Sequence, residues 1–235
     1  MKARHREQAW GLLGLSLTMM VFLLWPQLDV LVSAWFYDPV LQRFNPTHWP
    51  WIISIHEGFP VMEQVLFALT LLAWGWSWWH PDQVSRAWRR RCAAWMLLVI
   101  LGIGLVVDWA FKDNVGRPRP EQIEAFAGHL PFVPVLHTST HCDLNCSFVS
   151  GHAAGAFSLM AWGMWAPWSR RKQWLLASLG LGSAIGLMRI AQGGHFLSDV
   201  LFAGWTIWLI EHFIRAFWLR WRCHQFQSQR NTWNS

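Results

Sequence analysis

The chain has 235 residues, of which 54% are hydrophobic and only 14% are charged, and it contains 21 Trp. Soluble proteins carry about 25% charged residues, so this composition excludes an ordinary soluble domain and favours one membrane-embedded domain over residues 1–235. The formal net charge is +6, but the basic residues stand in short clusters between apolar runs. That pattern is typical of membrane orientation, and we expect no nucleic-acid partner.

Six apolar runs approach the length of about 20 residues that a helix needs to cross a bilayer. The first run follows a basic N-terminus, as in a signal peptide. No small-x-small cleavage site follows it, so we expect a retained membrane helix. The sequence therefore predicts an all-α membrane bundle of six transmembrane helices. Their approximate ranges are 9–25, 60–79, 93–111, 153–168, 174–190 and 196–218.

The distribution of Lys and Arg predicts the orientation of this bundle. With the N-terminus in the cytoplasm, 14 of the 19 basic residues fall on the cytoplasmic side, as the positive-inside rule requires. Both termini would then be cytoplasmic, and the opposite ends of the helices would face the periplasm or outer surface. Segment 26–59 is too polar and too broken by Pro to span, so we expect a connector at the outer interface; a role in substrate selection is the alternative. The basic residues left on the periplasmic side are Arg43, Lys112, Arg117, Arg119 and Arg189.

Two cysteines, Cys142 and Cys146, lie four residues apart on the predicted periplasmic side. In an oxidising compartment we expect them to form a local disulfide. His137 and His141 stand next to them, so a zinc site is an alternative, and two free thiols are a third.

The first polar motif at the end of an apolar run holds three cations. Lys112 closes the third run, and Arg117 and Arg119 follow in a turn that Pro118 and Pro120 stiffen. Cations held in this way would bind an anion. The alternative is a set of interfacial cations at a helix end, which is a common arrangement.

The second motif, Ser150-Gly151-His152, precedes the fourth run. The free N–H groups at a helix start are a ready anion site, and Gly151 would let the backbone approach an oxyanion closely. Taken alone, Ser150 is explained as well by a structural N-cap.

The third motif runs from Arg189 through a Gly-Gly turn to His195 and Asp199. Asp199 falls four residues after His195, which is one turn along the same helical face. A carboxylate inside a membrane helix is costly unless it is paired. Pairing with the imidazole N–H would remove that cost and orient the ring; a purely structural His–Asp pair is the alternative.

The three motifs together supply cations, two imidazoles and a carboxylate, which suits the cleavage of a phosphate ester. The patterns Lys-x6-Arg-Pro, Ser-Gly-His and Arg-x5-His-x3-Asp resemble the three-part signature of the type 2 phosphatidic acid phosphatase superfamily, in the same order and with the same spacings. The sequence departs from that signature at Val149, where Pro is usual, and at Met188, where Ser is usual. Neither departure changes a charge or an imidazole.

The resemblance implies a role for each motif residue. His195 would be the nucleophile that forms a phosphohistidine, Asp199 would orient it, and His152 would protonate the leaving oxygen. The resemblance implies neither a metal nor another cofactor, because fixed cations stabilise the charge of the transition state. The phosphoryl oxygens would be held by Lys112, Arg119, Arg189, Ser150 and Gly151.

A site at the outer face of a bundle is reached most easily by lipids of the outer leaflet. The stretch from Cys142 to His152 most resembles the bacterial lipid A 1-phosphatases within the superfamily. The resemblance implies lipid A 1-phosphate as the substrate and a bacterial inner membrane as the location, with the site facing the periplasm. Phosphatidylglycerol phosphate, phosphatidic acid and undecaprenyl diphosphate are alternatives, and phosphoryl transfer to a second lipid would use the same residues. A transporter is the non-enzyme alternative, but it would need ionisable residues at mid-membrane.

Overall fold

Long helices form most of the structure. The computed structural model describes the backbone of residues 2–232 and the side chains of residues 3–222. Within that part of the chain, five helices are long and apolar enough to cross a membrane. They are α1 (Lys2–Leu24), α3 (Pro50–Trp79), α4 (Arg86–Leu98) with its continuation as a π-helix (Val99–Lys112), α6 (Trp168–Ala191) and α7 (Leu197–Thr232), while α2 (Leu28–Ala34) and α5 (Gly151–Phe157) are short.

Large apolar side chains line the outer faces of these helices. Leu72 of α3 is 69% exposed, Leu176 of α6 is 66% exposed and Phe213 of α7 is 66% exposed. A continuous apolar surface of this kind is a liability in water, whereas it matches the hydrocarbon of a bilayer. The fold is therefore a helical membrane bundle, as predicted.

The predicted count of six spans is not confirmed, because the fourth run forms only α5 and a short 3₁₀ helix (Ser158–Gly163). Its side chains are small, and Ala153, Ala154 and Ala156 are buried against neighbouring helices. Glycine on α6 allows this close packing, because a Cβ at Gly182 would lie 2.3 Å from the Phe157 ring. An element enclosed by protein needs neither the length nor the apolar exterior of a lipid-facing helix.

The segment after α1 is shorter than the predicted connector 26–59. It contains α2, an antiparallel pair of two-residue strands, β1 (Tyr37–Asp38) and β2 (Arg43–Phe44), and a 3₁₀ helix (Asn45–His48). α3 begins at Pro50 and not near residue 60, because the helix continues through Pro60. Membrane helices tolerate internal proline where neighbouring groups satisfy the freed carbonyl. The first turns of α3 therefore belong to the bundle.

A buried charge network ties α1, α6 and α7 together at one end of the bundle. Arg171 Nη2 lies 2.7 Å from Glu7 Oε1 and 2.8 Å from Glu211 Oε2. Arg4 donates to the carbonyl oxygens that end the 3₁₀ helix, at 2.9 Å for Met164. Glu7, Glu211 and His212 stand close enough to share a metal ion, but Arg171 already forms ion pairs with both carboxylates.

The same network shows how the chain runs between the two ends. The 3₁₀ helix finishes beside Arg4 and α6 starts there, whereas α6 finishes at Arg189, which contacts His56 near the start of α3. Residues 150–168 therefore connect opposite ends of the bundle.

The orientation can be tested with single cysteines in a chain whose Cys92 and Cys223 are replaced by Ser. Glu124 and Ser169 are exposed, and they flank residues 150–168 on the two sides. We expect an impermeant maleimide to label Glu124→Cys in intact spheroplasts, and to label Ser169→Cys only after the membrane is permeabilised. Labelling of both positions from the same side would contradict a crossing by the buried fourth segment.

Candidate active site

The structure brings the three predicted motifs together. The Ser150 N–H donates to the Asp199 carbonyl at 3.2 Å, which joins the second motif to the third. Gly151 packs against Lys112, since a Cβ there would lie 2.7 Å from Lys112 Nζ. The Glu121 N–H, just after the first motif, donates to the Gly193 carbonyl at 3.1 Å. Residues far apart in the sequence thus form one site.

His195 is held in one tautomer by a backbone carbonyl. Its side chain is buried, and Nδ1 lies 2.8 Å from the Ser147 carbonyl oxygen. Only an N–H can donate to a carbonyl, so Nδ1 carries the proton and Nε2 keeps a free lone pair. Burial, and then the charge of Arg189, lower the pKa of His195 to about 4, although Asp199 opposes the shift. The ring is therefore neutral and nucleophilic near pH 7.

Asp199 lies beside His195, as expected, although the ring N–H donates to a backbone carbonyl and not to the carboxylate. Its Oδ2 lies 3.7 Å from His195 Nδ1, beyond hydrogen-bond distance. That oxygen instead accepts from the Ser147 hydroxyl and from the Phe196 N–H. α7 begins only at Leu197, so His195 stands just before the helix and approaches the carboxylate without a direct hydrogen bond. Asp199 reaches the imidazole through Ser147.

Arg117 forms the buried centre beneath the site. It has no exposed surface, and its guanidinium binds Asp199 Oδ1 at 2.5 Å, Asp29 Oδ2 at 2.8 Å and the Val133 carbonyl at 2.9 Å. Ser198 belongs to the same network, because its N–H and its hydroxyl donate to Asp29 and its hydroxyl oxygen accepts from Arg117 Nη1. Arg117 therefore has its donors committed inside the protein and differs from the other motif cations.

Arg189 offers donors to a ligand at the surface of the site. Its Nη1 lies 2.8 Å from His56 Nδ1 and 2.6 Å from Gln192 Oε1. Its Nε is shielded from solvent, and no described residue bonds it. Gly194 packs against the guanidinium, since a Cβ there would lie 2.3 Å from Nη2. This arrangement suits a bound oxyanion.

Arg119 and Lys112 complete the set of cations. Arg119 Nη2 donates to the Asn145 carbonyl at 3.0 Å, and its charge acts on both His195 and Arg189. Lys112 Nζ bonds Asp108 Oδ1 at 2.7 Å while it lies against Gly151. Lys112, Arg119 and Arg189 thus surround the two histidines.

His152 is positioned by residues that sequence analysis assigned to a connector. Its Nε2 lies 3.1 Å from the His56 carbonyl oxygen, and its ring stacks on His56 and Phe59. The Ser150 hydroxyl caps α5 by accepting from the Ala153 N–H at 3.4 Å. Because the Ser150 N–H is already bonded to the Asp199 carbonyl, any hydrogen bond from Ser150 to a phosphate would come from its hydroxyl hydrogen.

The loop that contains the two cysteines packs against the cations. Cys142 and Cys146 are bonded to each other in the structure, with their Cα atoms 5.8 Å apart. The Cys146 N–H donates to the Lys112 carbonyl at 3.3 Å, and Asn145 accepts from Arg119. Both sulfur atoms are used in this bond, so neither is available as the thiolate ligand that a zinc site would need.

Comparison with known proteins identifies the family. Residues 93–223 match the PAP2 superfamily. The chain belongs to this superfamily. It is 33% identical over 215 residues to a lipid A 4'-phosphatase of Francisella tularensis subsp. novicida, with 89% of this chain and 95% of the relative covered. No solved structure matches the chain.

Two further relatives carry the same description. Lipid A 4'-phosphatases of Rhizobium etli and Rhizobium leguminosarum are 37% and 36% identical, over 48% and 54% of this chain and 43% and 53% of their own lengths. Family and relatives support a bacterial membrane lipid phosphatase, which is a hydrolase. The expected 1-phosphatase specificity is not supported, because these relatives are named for the 4' position.

The disulfide can be tested by intact mass after alkylation under denaturing conditions. We expect two adducts without reduction and four after it, because the chain has four cysteines. A bond that closes so short a loop should contribute less than the roughly 3 kcal/mol expected for a loop of about 15 residues. The double variant Cys142→Ser/Cys146→Ser should therefore lose more activity than thermal stability. Four adducts in unreduced protein would disprove the bond.

Arg117 is buried in ion pairs, whereas Arg119 lies at the candidate site, so the two arginines give a matched pair of variants. Arg117→Gln should destabilise the protein by about 3–5 kcal/mol, because it leaves two buried carboxylates without their cation. Arg119→Gln should lower activity with little change in melting temperature. Thermal unfolding in detergent and a phosphatase assay distinguish the two effects. Equal melting temperatures for the two variants would contradict the structural role of Arg117.

Proposed function

We propose that the chain is an integral lipid phosphatase that hydrolyses a phosphate monoester of an outer-leaflet lipid through a phosphohistidine intermediate. The observation that carries this proposal is the state of His195, whose Nδ1 proton is fixed by Ser147 while Nε2 stays free. Three cations surround that imidazole, and their positive charge would attract a phosphate dianion.

The first step of the proposed reaction is attack at phosphorus. The Nε2 lone pair of His195 forms a P–N bond as the bond from phosphorus to the lipid oxygen breaks. Arg189, Arg119 and Lys112 hold the phosphoryl oxygens and stabilise the charge that develops on them. Asp199 contributes through Ser147, which fixes the tautomer of the ring.

His152 supplies the proton that the leaving oxygen takes up. Its Nε2 donates to the His56 carbonyl, so Nδ1 is the atom that would carry a transferable proton. In the second step a water attacks phosphorus, the P–N bond breaks, and His152 takes up the proton of that water. Phosphate and free His195 result, and no step requires a metal ion.

We propose the 4'-phosphate of lipid A as the substrate, in place of the 1-phosphate. The names of three relatives support this position, and for one of them the match extends over nearly both chains. The distribution of basic residues supports an inner-membrane protein with six crossings, two cytoplasmic termini and a site that faces the periplasm. Membership of a phosphatase superfamily argues against a transporter.

The roles of the two histidines predict different responses to the leaving group. His195→Ala should abolish turnover of every substrate, since no other group replaces the nucleophile. General acid catalysis contributes about 10²–10⁴-fold, so His152→Ala should lose that factor on a lipid alkyl phosphate and much less on an aryl phosphate. Rates on the two substrates test this directly. An aryl phosphate that rescues His195→Ala and not His152→Ala would reverse the roles.

The substrate and the metal requirement can be tested in one assay. Purified protein in lipid vesicles with excess EDTA should release phosphate from lipid A that carries only the 4'-phosphate. Lipid A that carries only the 1-phosphate is the matched control, with phosphatidic acid and undecaprenyl diphosphate as competitors. Activity that EDTA removes and a divalent ion restores would contradict a metal-independent mechanism, and faster release from the 1-phosphate would contradict the assigned position.

A further inference from the structure

A side cavity opens next to His152, between α3 and the π-helix. Its volume is about 460 Å³, and His152, Gly151 and Lys112 form its end at the active site. Apolar side chains, among them Phe67 and Ile103, form much of the remaining wall. Ile100, also part of the wall, is 54% exposed on the outside of the bundle, so the cavity is open toward lipid.

Glu63 is the unusual residue of this cavity. It belongs to a membrane-spanning helix, and its carboxylate packs so closely on α5 that a Cβ at Gly155 would lie 2.6 Å from Oε2. Oε1 is shielded from solvent and has no hydrogen-bond partner among the described residues. Asp108, across the cavity, already bonds Lys112 at 2.7 Å. Glu63 is therefore an acceptor that lacks a donor.

The position of the Glu63 carboxylate is unusual for a membrane-spanning helix. An ionisable side chain within a spanning segment is costly, and such residues mark functional sites when they face a cavity. Gly155 follows His152 by three residues in α5, about 4.5 Å along a helix axis. Glu63 thus lies about one helical turn deeper in the membrane than the acid of the proposed reaction, where the part of a lipid next to its phosphate would sit.

We propose that this cavity is a binding subsite in which Glu63 accepts a hydrogen bond from an amide N–H or hydroxyl of the lipid substrate, next to the scissile phosphate. The ligand class is an acylated amino-sugar phosphate, whose amides and hydroxyls offer such donors. A diacylglycerol phosphate such as phosphatidic acid is linked by esters and offers none. The apolar wall holds an acyl chain, and Glu63 selects between the two lipid classes.

The subsite rests on the proposed function and can be tested separately from it. The measured quantity is selectivity, the kcat/KM for lipid A divided by that for phosphatidic acid in vesicles of the same composition. Glu63→Leu removes the acceptor. Gly155→Ala adds a methyl group that would push the Glu63 carboxylate out of its position. Each should lower the selectivity by about tenfold or more, as expected for loss of a hydrogen bond to a charged group.

Two matched variants on the same helix serve as controls. Glu57→Leu removes an exposed carboxylate, and Gly75→Ala adds a methyl group where no atom lies within 4 Å. Both should keep the selectivity of the wild-type protein within about twofold, well below the effect of a lost charged hydrogen bond. If Glu63→Leu and Gly155→Ala both keep the wild-type selectivity, the subsite is overturned, even if each variant hydrolyses both lipids more slowly.

The wild-type protein separates this inference from the proposed function. If it hydrolyses neither lipid, the proposed function fails as well. If it hydrolyses both lipids equally well, or prefers phosphatidic acid, the phosphatase stands and the subsite is overturned. A wild-type preference for lipid A that both cavity variants remove supports the subsite.

Discussion

The buried ion pairs of Arg117 with Asp199 and Asp29 are the constraint on which the site depends. All three side chains are fully buried. Their contacts join the segment after α1, the turn after the π-helix and the start of α7. Charges removed from water are stable only while all partners stay in place. The two ion pairs therefore fix the relative positions of the three segments that carry or support the catalytic groups.

The positions of the reacting groups follow from this centre. Asp199 is held by Arg117 and in turn accepts from Ser147, whose carbonyl fixes the tautomer of His195. The motif cations thus divide into two functions. The donors of Arg117 are bonded inside the protein, whereas Arg189 keeps a buried N–H that no residue in the described part of the chain accepts. This separation would keep the proposed phosphate site rigid without using the charges that are proposed to bind the ligand.

The local motifs could be predicted from the sequence because each is a short, ordered pattern at the end of an apolar run. Partners supplied by distant segments could not be predicted in this way. Asp29 meets Arg117 across 88 residues, and His56 meets Arg189 across 133. Pro60 was a misleading signal, because it marked the expected start of a helix that in fact begins at Pro50. The spacing of His195 and Asp199 indicated that the two groups lie close together, at 3.7 Å, but it gave no sign that the imidazole donates to the Ser147 carbonyl.

The central claim is that His195 becomes phosphorylated during turnover. The most direct measurement is a rapid alkaline quench with a lipid labelled at its phosphate, followed by peptide mapping. The account predicts a label that is stable in alkali, labile in acid and attached to the peptide containing His195, and its absence from His195→Ala. A label on His152, or turnover by direct attack of water with no labelled protein at any quench time, would contradict the account.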